Sequence, residues 1–385
     1  MNGILFINCI FTAYSLQFKE GLTMKIKRIS VGEIHLPLAR PFKTALRTVE
    51  HVNDVVVRIE ADDGTVGYGE APPTAVITGD TKGSILCAIR DFIAPNLVGM
   101  DVEDMEGLQS RLHSCILKNT SAKAAVDMAL YDLLGKRFGV PLYQLLGGAK
   151  QEIETDITIS VNPIDQMVAD SVDAVQQGFR VLKVKVGKEG KADVERIRTI
   201  RQAVGPGAVI RVDANQGWTA SQAISIIKAM EDADLDIELV EQPVPAHDFE
   251  GMKAITRAVE TPILADESVF CAEDAIKIIQ HGAADLLNIK LMKTGGIWKA
   301  LQICSVADIY GVKCMMGCML ESRLSVAAGA HLAAAKRCIT VCDLDGPSLC
   351  SVDPYTGGPV FAGAAIRMTG DAGIGVDNIP CDNWS

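Results

Sequence analysis

The chain has 385 residues, of which 48% are hydrophobic and 22% charged, and it carries a net charge of −11. That composition excludes a disordered chain, the length suits a barrel of about 250 residues plus an added domain, and negative charge without a basic stripe argues against nucleic acid as a partner. The 11 cysteines contain no C-x-x-C pair and the six histidines no paired spacing, so both read as scattered residues in a reducing cytoplasm rather than as disulfides or a zinc site.

Residues 1–23 hold an apolar run from Gly3 to Phe11 with no basic residue before it and no cleavage site after it. They are expected to be an extension ahead of a natural start at Met24, not an export signal, and no run is long enough to span a membrane. Residues 24–150 read as an α+β domain. Val55 to Ile59 and Val66 to Gly69 flank the turn Asp62-Asp63-Gly64-Thr65 and form a hairpin, and a helix runs from Ser121 to Arg137 with Asn119, Thr120 and Ser121 as capping side chains. Two mixed loops, Phe42 to Thr48 and Ala75 to Asp80, fit a lid as well as a solvated surface.

From residue 151 short apolar runs recur at intervals of roughly 24 to 29 residues, separated by helix-like segments, as a barrel of alternating strands and helices requires. Strands are expected at 155–160, 181–186, 209–213, 237–241, 263–266, 286–290, 312–316 and 339–343. No G-x-G-x-x-G accompanies them, which favours the closed barrel over an open doubly wound sheet.

The second strand places Lys183 and Lys185 on one face at the strand period of two, and ammonium groups aimed into an interior are costly unless they are used. A buried lysine beside another cation releases its proton more easily, so Lys185 is the expected base and Lys183 the neighbour that holds its pKa down. Strands three, four and five finish at Asp213, Glu241 and Asp266. All carboxyl ends of a parallel barrel share one rim, so the three acids stand side by side and need a hard cation; oxygen-only ligands suit Mg²⁺. The sixth strand ends at Lys290, four strands from Lys185, so the two amines are expected to face each other across the mouth. A substrate carboxylate on the metal would hold its α-carbon between them, an arrangement for removing a proton from one side and returning it from the other. Imine formation by a barrel lysine is the rival chemistry.

The set Lys183-Val184-Lys185, Asp213-Ala214-Asn215, Glu241-Gln242-Pro243, Asp266-Glu267-Ser268 and Asn288-Ile289-Lys290 resembles the enolase superfamily, specifically its muconate-lactonizing subgroup. The resemblance implies an α/β fold: a modified TIM barrel, (β/α)7β, over residues 151–350, with a capping domain at 24–150 that the tail 351–385 completes. Cycloisomerases, o-succinylbenzoate synthases and N-acylamino acid racemases share these parts. The eighth strand, ending Asp343-Leu344-Asp345, resembles the motif with which dipeptide epimerases hold the substrate's α-ammonium. Phe42 to Arg47 resembles the lid of members acting on Ala-Glu dipeptides, in which the arginine meets the glutamate carboxylate, and Ile77 and Thr78 match a second lid loop. Thr158 in the first strand and Cys318 after the seventh, where similar enzymes often carry serine, complete the implied substrate contacts. The implied activity is Mg²⁺-dependent epimerisation at the C-terminal α-carbon of L-Ala-D-Glu and L-Ala-L-Glu in cytoplasmic murein peptide recycling, by a homo-oligomer.

Overall fold

The computed structural model describes residues 23–44, 48–187, 190–381 and 383–385. The expected N-terminal extension, apart from Thr23, lies outside them.

The hairpin turn forms as its residues dictate. Gly64 takes φ 89°, a left-handed conformation that favours glycine, and Thr65 N–H donates to Asp63 Oδ1 at 2.9 Å. The two arms, β4 (Val55–Ala61) and β5 (Val66–Ala71), make an antiparallel sheet with β1 (Ile26–Glu33) on the far side of β4. The Thr120–Phe138 helix lies directly on β5, and glycine makes the close approach possible: a Cβ at Gly69 would sit 1.9 Å from Ala125 O. Asn119 does not cap this helix through its side chain; it sits in the left-handed region, and Asp80 Oδ2 accepts the Ser121 N–H at 3.1 Å. A carboxylate at a helix N-terminus is favoured by the macrodipole as well as the hydrogen bond, and here it pins the second loop to the helix. At the first expected loop, Phe42 and Lys43 end β2 (Leu36–Lys43) and Thr48 opens its antiparallel partner β3 (Thr48–Val52), with Phe42 opposite Val49; residues 45–47 lie outside the described residues. Alternating apolar and polar residues on both sides of a short tip support pairing better than an open loop.

After a short strand β6 (Glu152–Glu154) come eight parallel strands in sequence order: β7 (Ile157–Ile159), β8 (Val181–Lys185), β9 (Val209–Asp213), β10 (Ile237–Glu241), β11 (Ile263–Ala265), β12 (Leu286–Lys290), β13 (Lys313–Gly317) and β14 (Ile339–Asp343). The first is shorter than the expected 155–160: Thr155 N–H donates to Ala364 O in the tail, continuing the pairing of β6 with the tail strand Ala365–Arg367. Asp156 N–H to Cys342 O, at 3.3 Å, bridges the last strand back to the first. Helices follow each of the first seven strands, giving the (β/α)7β order. Period two divides each strand cleanly: Leu182, Val184, Ile210, Val212, Leu287 and Ile289 pack outward against helices, which leaves Lys183, Lys185, Arg211, Asp213, Asn288 and Lys290 for the interior.

Buried acids of the N-terminal part join it to the barrel. Glu70 accepts from Ser322 N–H at 2.8 Å and Ser325 N–H at 3.0 Å, at the start of the Arg323–Ala335 helix. Asp132 accepts from Tyr68 N–H and from Ile374 N–H in the tail, at 3.0 and 2.8 Å. The tail ends on the β1 edge, where Ser385 and Val31 exchange backbone hydrogen bonds. These contacts fix the position of the lid segments over the barrel's carboxyl rim.

Candidate active site

One cavity at the rim is lined by Lys183, Lys185, Asp266, Lys290, Asp343 and Asp345, and its roof is made by Phe42, Thr44, Thr74, Val76 and Ile77. Of the expected residues, Thr158 and Cys318 line it too. Thr78 turns away and closes its own loop, its hydroxyl donating to Thr74 O and accepting from Asp80 N–H, both at 3.2 Å. Arg47 lies outside the described residues.

The three strand-end acids come from adjacent strands, with Asp213 and Glu241 in direct register. Local backbone holds them. Asn215 and Gln216, just past β9, have φ of 42° and 66°, and Gln242 after β10 has 33°, uncommon values for residues with a Cβ. The turn they make lets Asn215 N–H donate to Asp213 Oδ1 at 2.8 Å. Gln242 Oε1 accepts from Asp266 N–H at 2.9 Å, which ties the second acid's strand to the third's. Asn288 Nδ2 donates to Glu241 Oε1 at 2.8 Å.

Lysines meet these acids from both flanks. Lys185 Nζ lies 2.6 Å from Asp213 Oδ2, and Lys290 Nζ lies 2.8 Å from Asp266 Oδ2. Lys183 sits between them at the back, 2.5 Å from Asp343, 2.7 Å from Glu241 and 3.2 Å from Asp213. Its ammonium is therefore an ion-pair hub. Burial opposes its charge, but Asp343, Glu241 and Asp213 lift its pKa well above the ordinary lysine value. Lys290 is raised in the same way, Asp266 overcoming the effect of burial. Burial lowers Lys293, whose Nζ reaches Asp266 Oδ1 and the carbonyls of Asp266 and Asn288. Sequence reasoning missed Lys293; its signal was the spacing Lys290-x-x-Lys293 across a strand end and the first turn of a helix.

The acids divide by their surroundings. Burial works against Asp213, but Lys185 and Lys183 hold its carboxyl down at about 2, and Asp266 is held below the ordinary range by Lys290 and Lys293. Glu241 is pushed up to about 7 by burial and by Asp213. Its Oε2 lies 2.7 Å from the Lys183 ammonium, opposite the Oε1 that Asn288 holds. An all-oxygen set on three adjacent strand ends fits a hard dication, and Asp213, Glu241 and Asp266 are the residues that would hold Mg²⁺. Glu267 was also missed: burial and Asp266 push its carboxyl up to about 8, and neither oxygen has a hydrogen-bond partner.

At the opposite end a tighter acid group forms. One oxygen from each of Asp156, Asp343 and Asp345 lies within 4.8 Å of the others. Asp345 Oδ2 accepts from Thr158 N–H at 2.7 Å, and Asp156 is held by Arg211 Nη1 at 2.8 Å. Burial and Asp343 push the Asp345 carboxyl up to about 6. Sequence reasoning missed Asp156, although it lies inside the expected strand 155–160 and shares the face of Thr158 at the strand period of two.

A parallel barrel whose mouth carries strand-end acids for a divalent metal, flanked by lysines from opposite sides, defines a class of enzymes that labilise a proton next to a carboxylate. The chain belongs to the mandelate racemase and muconate lactonizing group of the enolase superfamily: the family's N-terminal domain model matches residues 28–147, and the enolase C-terminal domain-like model matches 166–379. It is 53% identical over 356 residues to the L-Ala-D/L-Glu epimerase of Clostridium acetobutylicum, covering 92% of this chain and 99% of that one. The substrate-liganded L-Ala-D/L-Glu epimerase of Bacillus subtilis superposes with a TM-score of 0.91 at 49% identity, over 92% of this chain and 99% of that one. The Enterococcus faecalis dipeptide epimerase, solved with Mg and L-Leu-L-Tyr, gives 0.89 at 41% identity, over 92% and 100%. The relatives are epimerases and racemases, and the chain is an isomerase of this family. Among the described residues no helix is long and apolar enough to cross a membrane.

Proposed function

We propose that the protein epimerises dipeptides at the α-carbon of the C-terminal residue, with L-Ala-D-Glu and L-Ala-L-Glu as substrates. The observation that carries this reading is that Lys185 and Lys290, from strands four apart, line one cavity with Asp266, while Asp213 and Glu241 end the other strands between them. Mg²⁺, when held by Asp213, Glu241 and Asp266, supplies a Lewis acid for the negative charge that develops on the substrate's carboxylate. Lys185 and Lys290 exchange the α-proton, one withdrawing it from one face while the other delivers from the opposite face, with roles reversed in the reverse reaction. Lys183 neutralises the acids behind them and holds Asp343 in place. Asp343 and Asp345 receive the substrate's α-ammonium, and Arg47 its glutamate carboxylate through a forked pair of hydrogen bonds. The cellular setting that suits this substrate is murein peptide recycling in the cytoplasm, by a homo-oligomer.

Incubating L-Ala-L-Glu and L-Ala-D-Glu in D₂O with and without Mg²⁺ tests the reading. Metal-dependent α-deuterium uptake at the glutamyl residue is expected; turnover of muconate with no uptake by either dipeptide would replace epimerisation with cycloisomerisation. Arg47→Ala is expected to weaken Ala-Glu far more than Ala-Ala, and an equal effect would remove Arg47 from the specificity pocket.

A further inference from the structure

Away from the active site the fold gathers thiols that are scattered along the sequence. Cys304 lies on the buried face of the helix Ile297–Tyr310, Cys314 is the second residue of β13, and Cys338 stands in the turn between the Arg323–Ala335 helix and β14. All three belong to the core layer between the barrel and its helices. Cys314 N–H donates to Cys338 O at 2.8 Å, beside the pairing of Cys314 with Ile339, so these two residues sit on adjoining backbones. Neighbouring strands run about 4.8 Å apart, which is within the Cα separation that a disulfide spans. From the helix side Cys304 completes the cluster: its thiol and that of Cys314 both hydrogen-bond to the Cys338 sulfur. One sulfur is thus held between two others.

The thiolate is the reactive form of a cysteine, and the central position favours it. The thiols of Cys304 and Cys314, acting as donors, hold the Cys338 pKa well below the ordinary cysteine value against the effect of burial, and Lys336 nearby adds to their effect. Cys338 keeps 7% of its surface exposed, against 4% for Cys304 and none for Cys314, so the central sulfur is also the one a small oxidant meets first. Exposed Cys87 is the opposite case: its thiol donates to Asp91 Oδ2 at 3.2 Å, and that carboxylate pushes its pKa up. We propose that Cys338 is a reversible oxidation site for hydrogen peroxide, and that it closes a disulfide with Cys304 or Cys314. The Cys338 thiolate attacks one peroxide oxygen; the O–O bond breaks, and hydroxide leaves and takes a proton from solvent. The sulfenic acid so formed is attacked by a neighbouring thiol, the S–O bond breaks, and the oxygen departs as water with the thiol's proton. One peroxide is reduced to two waters while two sulfurs are oxidised to a disulfide. The cluster stands at the other end of β14 from Asp343 and does not depend on the substrate reading.

The full-length reduced protein tests this when it is treated with equimolar hydrogen peroxide, quenched by alkylation under denaturing conditions and mapped by peptide mass spectrometry. A disulfide joining Cys338 to Cys304 or Cys314 is expected, reversed by dithiothreitol and formed about tenfold or more faster than Cys87 is oxidised. Cys338→Ala should abolish it and leave Cys304 and Cys314 reduced. The double variant Cys304→Ala, Cys314→Ala should stop at the sulfenic acid of Cys338, which dimedone captures. Oxidation of Cys87 ahead of a reduced cluster, a disulfide that omits Cys338, or a Cys338 sulfenic acid that goes no further in the unaltered protein would overturn the proposal. The map of the unaltered protein needs no substitution, so the test stands even where a variant fails to fold.

Discussion

At the metal end of the cavity Asp213 and Asp266 each have a lysine within 2.8 Å, whereas at the ammonium end Asp156, Asp343 and Asp345 have Lys183 and Arg211 between them. The first arrangement keeps two carboxylates ionised, and Glu241, between them, pairs with Lys183. The second leaves three acids against two cations, and burial, with Asp343 beside it, pushes Asp345 up to about 6. The acids of the metal end are matched by Lys183, Lys185, Lys290 and Lys293, whereas the ammonium end carries one acid more than its cations. The metal end can take a dication that bridges three strand ends. The ammonium end has one position to fill and a backbone N–H, from Thr158, already directing the acceptor. A molecule with a carboxylate at one end and an ammonium at the other suits the two ends, provided the metal is in place.

The largest effect is expected on removing a ligand of the metal end. Asp213→Asn should lose several kcal/mol of transition-state stabilisation, and calorimetric titration with Mg²⁺ should show weakened binding independently of turnover; unchanged binding would detach Asp213 from the ion. Next come the lysines that stand between the ends. Lys185→Ala should slow α-proton exchange by about 10²–10⁴-fold from one epimer while retaining more of it from the other, with Lys290→Ala showing the opposite preference. Equal loss from both epimers in D₂O would break the two-sided account.

At the ammonium end the losses should be smaller and confined to binding. Asp343→Asn or Asp345→Asn removes a charge-assisted hydrogen bond worth about 1.5–3 kcal/mol, so KM should rise by roughly 10- to 150-fold with a lesser change in kcat. The pH dependence sharpens the contrast. Asp345 accepts an ammonium only when ionised, so with its carboxyl raised to about 6, KM should climb as pH falls through 6. Asp345→Asn should flatten that climb, and its persistence in the variant would assign it elsewhere.

A stability change in the same pH range must be separated from this one. Buried His331 accepts from Tyr143 N–H on Nδ1 and donates from Nε2 to Ile374 O, both at 3.1 Å, which only the neutral ring can do. Burial lowers its pKa to about 4. Its contribution is therefore complete above the unfolded value near 6.5 and is lost as pH falls toward 4, amounting to at most about 3 kcal/mol. Denaturant titrations between pH 7 and 4 should show a decline that His331→Gln reduces, without altering the pH profile of KM.

The residues that carry this comparison were unequally legible. Strand-end acids and lysines stood out because the period of two and the repeat of strands fix which side chains reach the rim, whatever the helices between them do. Asp343 and Asp345 were visible for the same reason. The ribbon at Phe42 was read as a loop, since its pairing with Val49 depends on a partner that local propensity does not reveal. Asn119 was assigned a cap that Asp80 provides from 40 residues upstream.

Sequence alone determined the barrel's order and the chemical identity of its rim, because both follow from local periodicity and from topology that admits few alternatives. The tertiary structure decided the charge balance at each end, which depends on distances across the barrel: Lys183 reaching three acids on three other strands, Lys293 turning back onto Asp266, and Asp156 joining the Asp343–Asp345 pair. It also brought Cys304, Cys314 and Cys338 together from a helix, a strand and a turn. Coulomb energies and side-chain contacts depend on distances in three dimensions, and residues far apart along the chain set them.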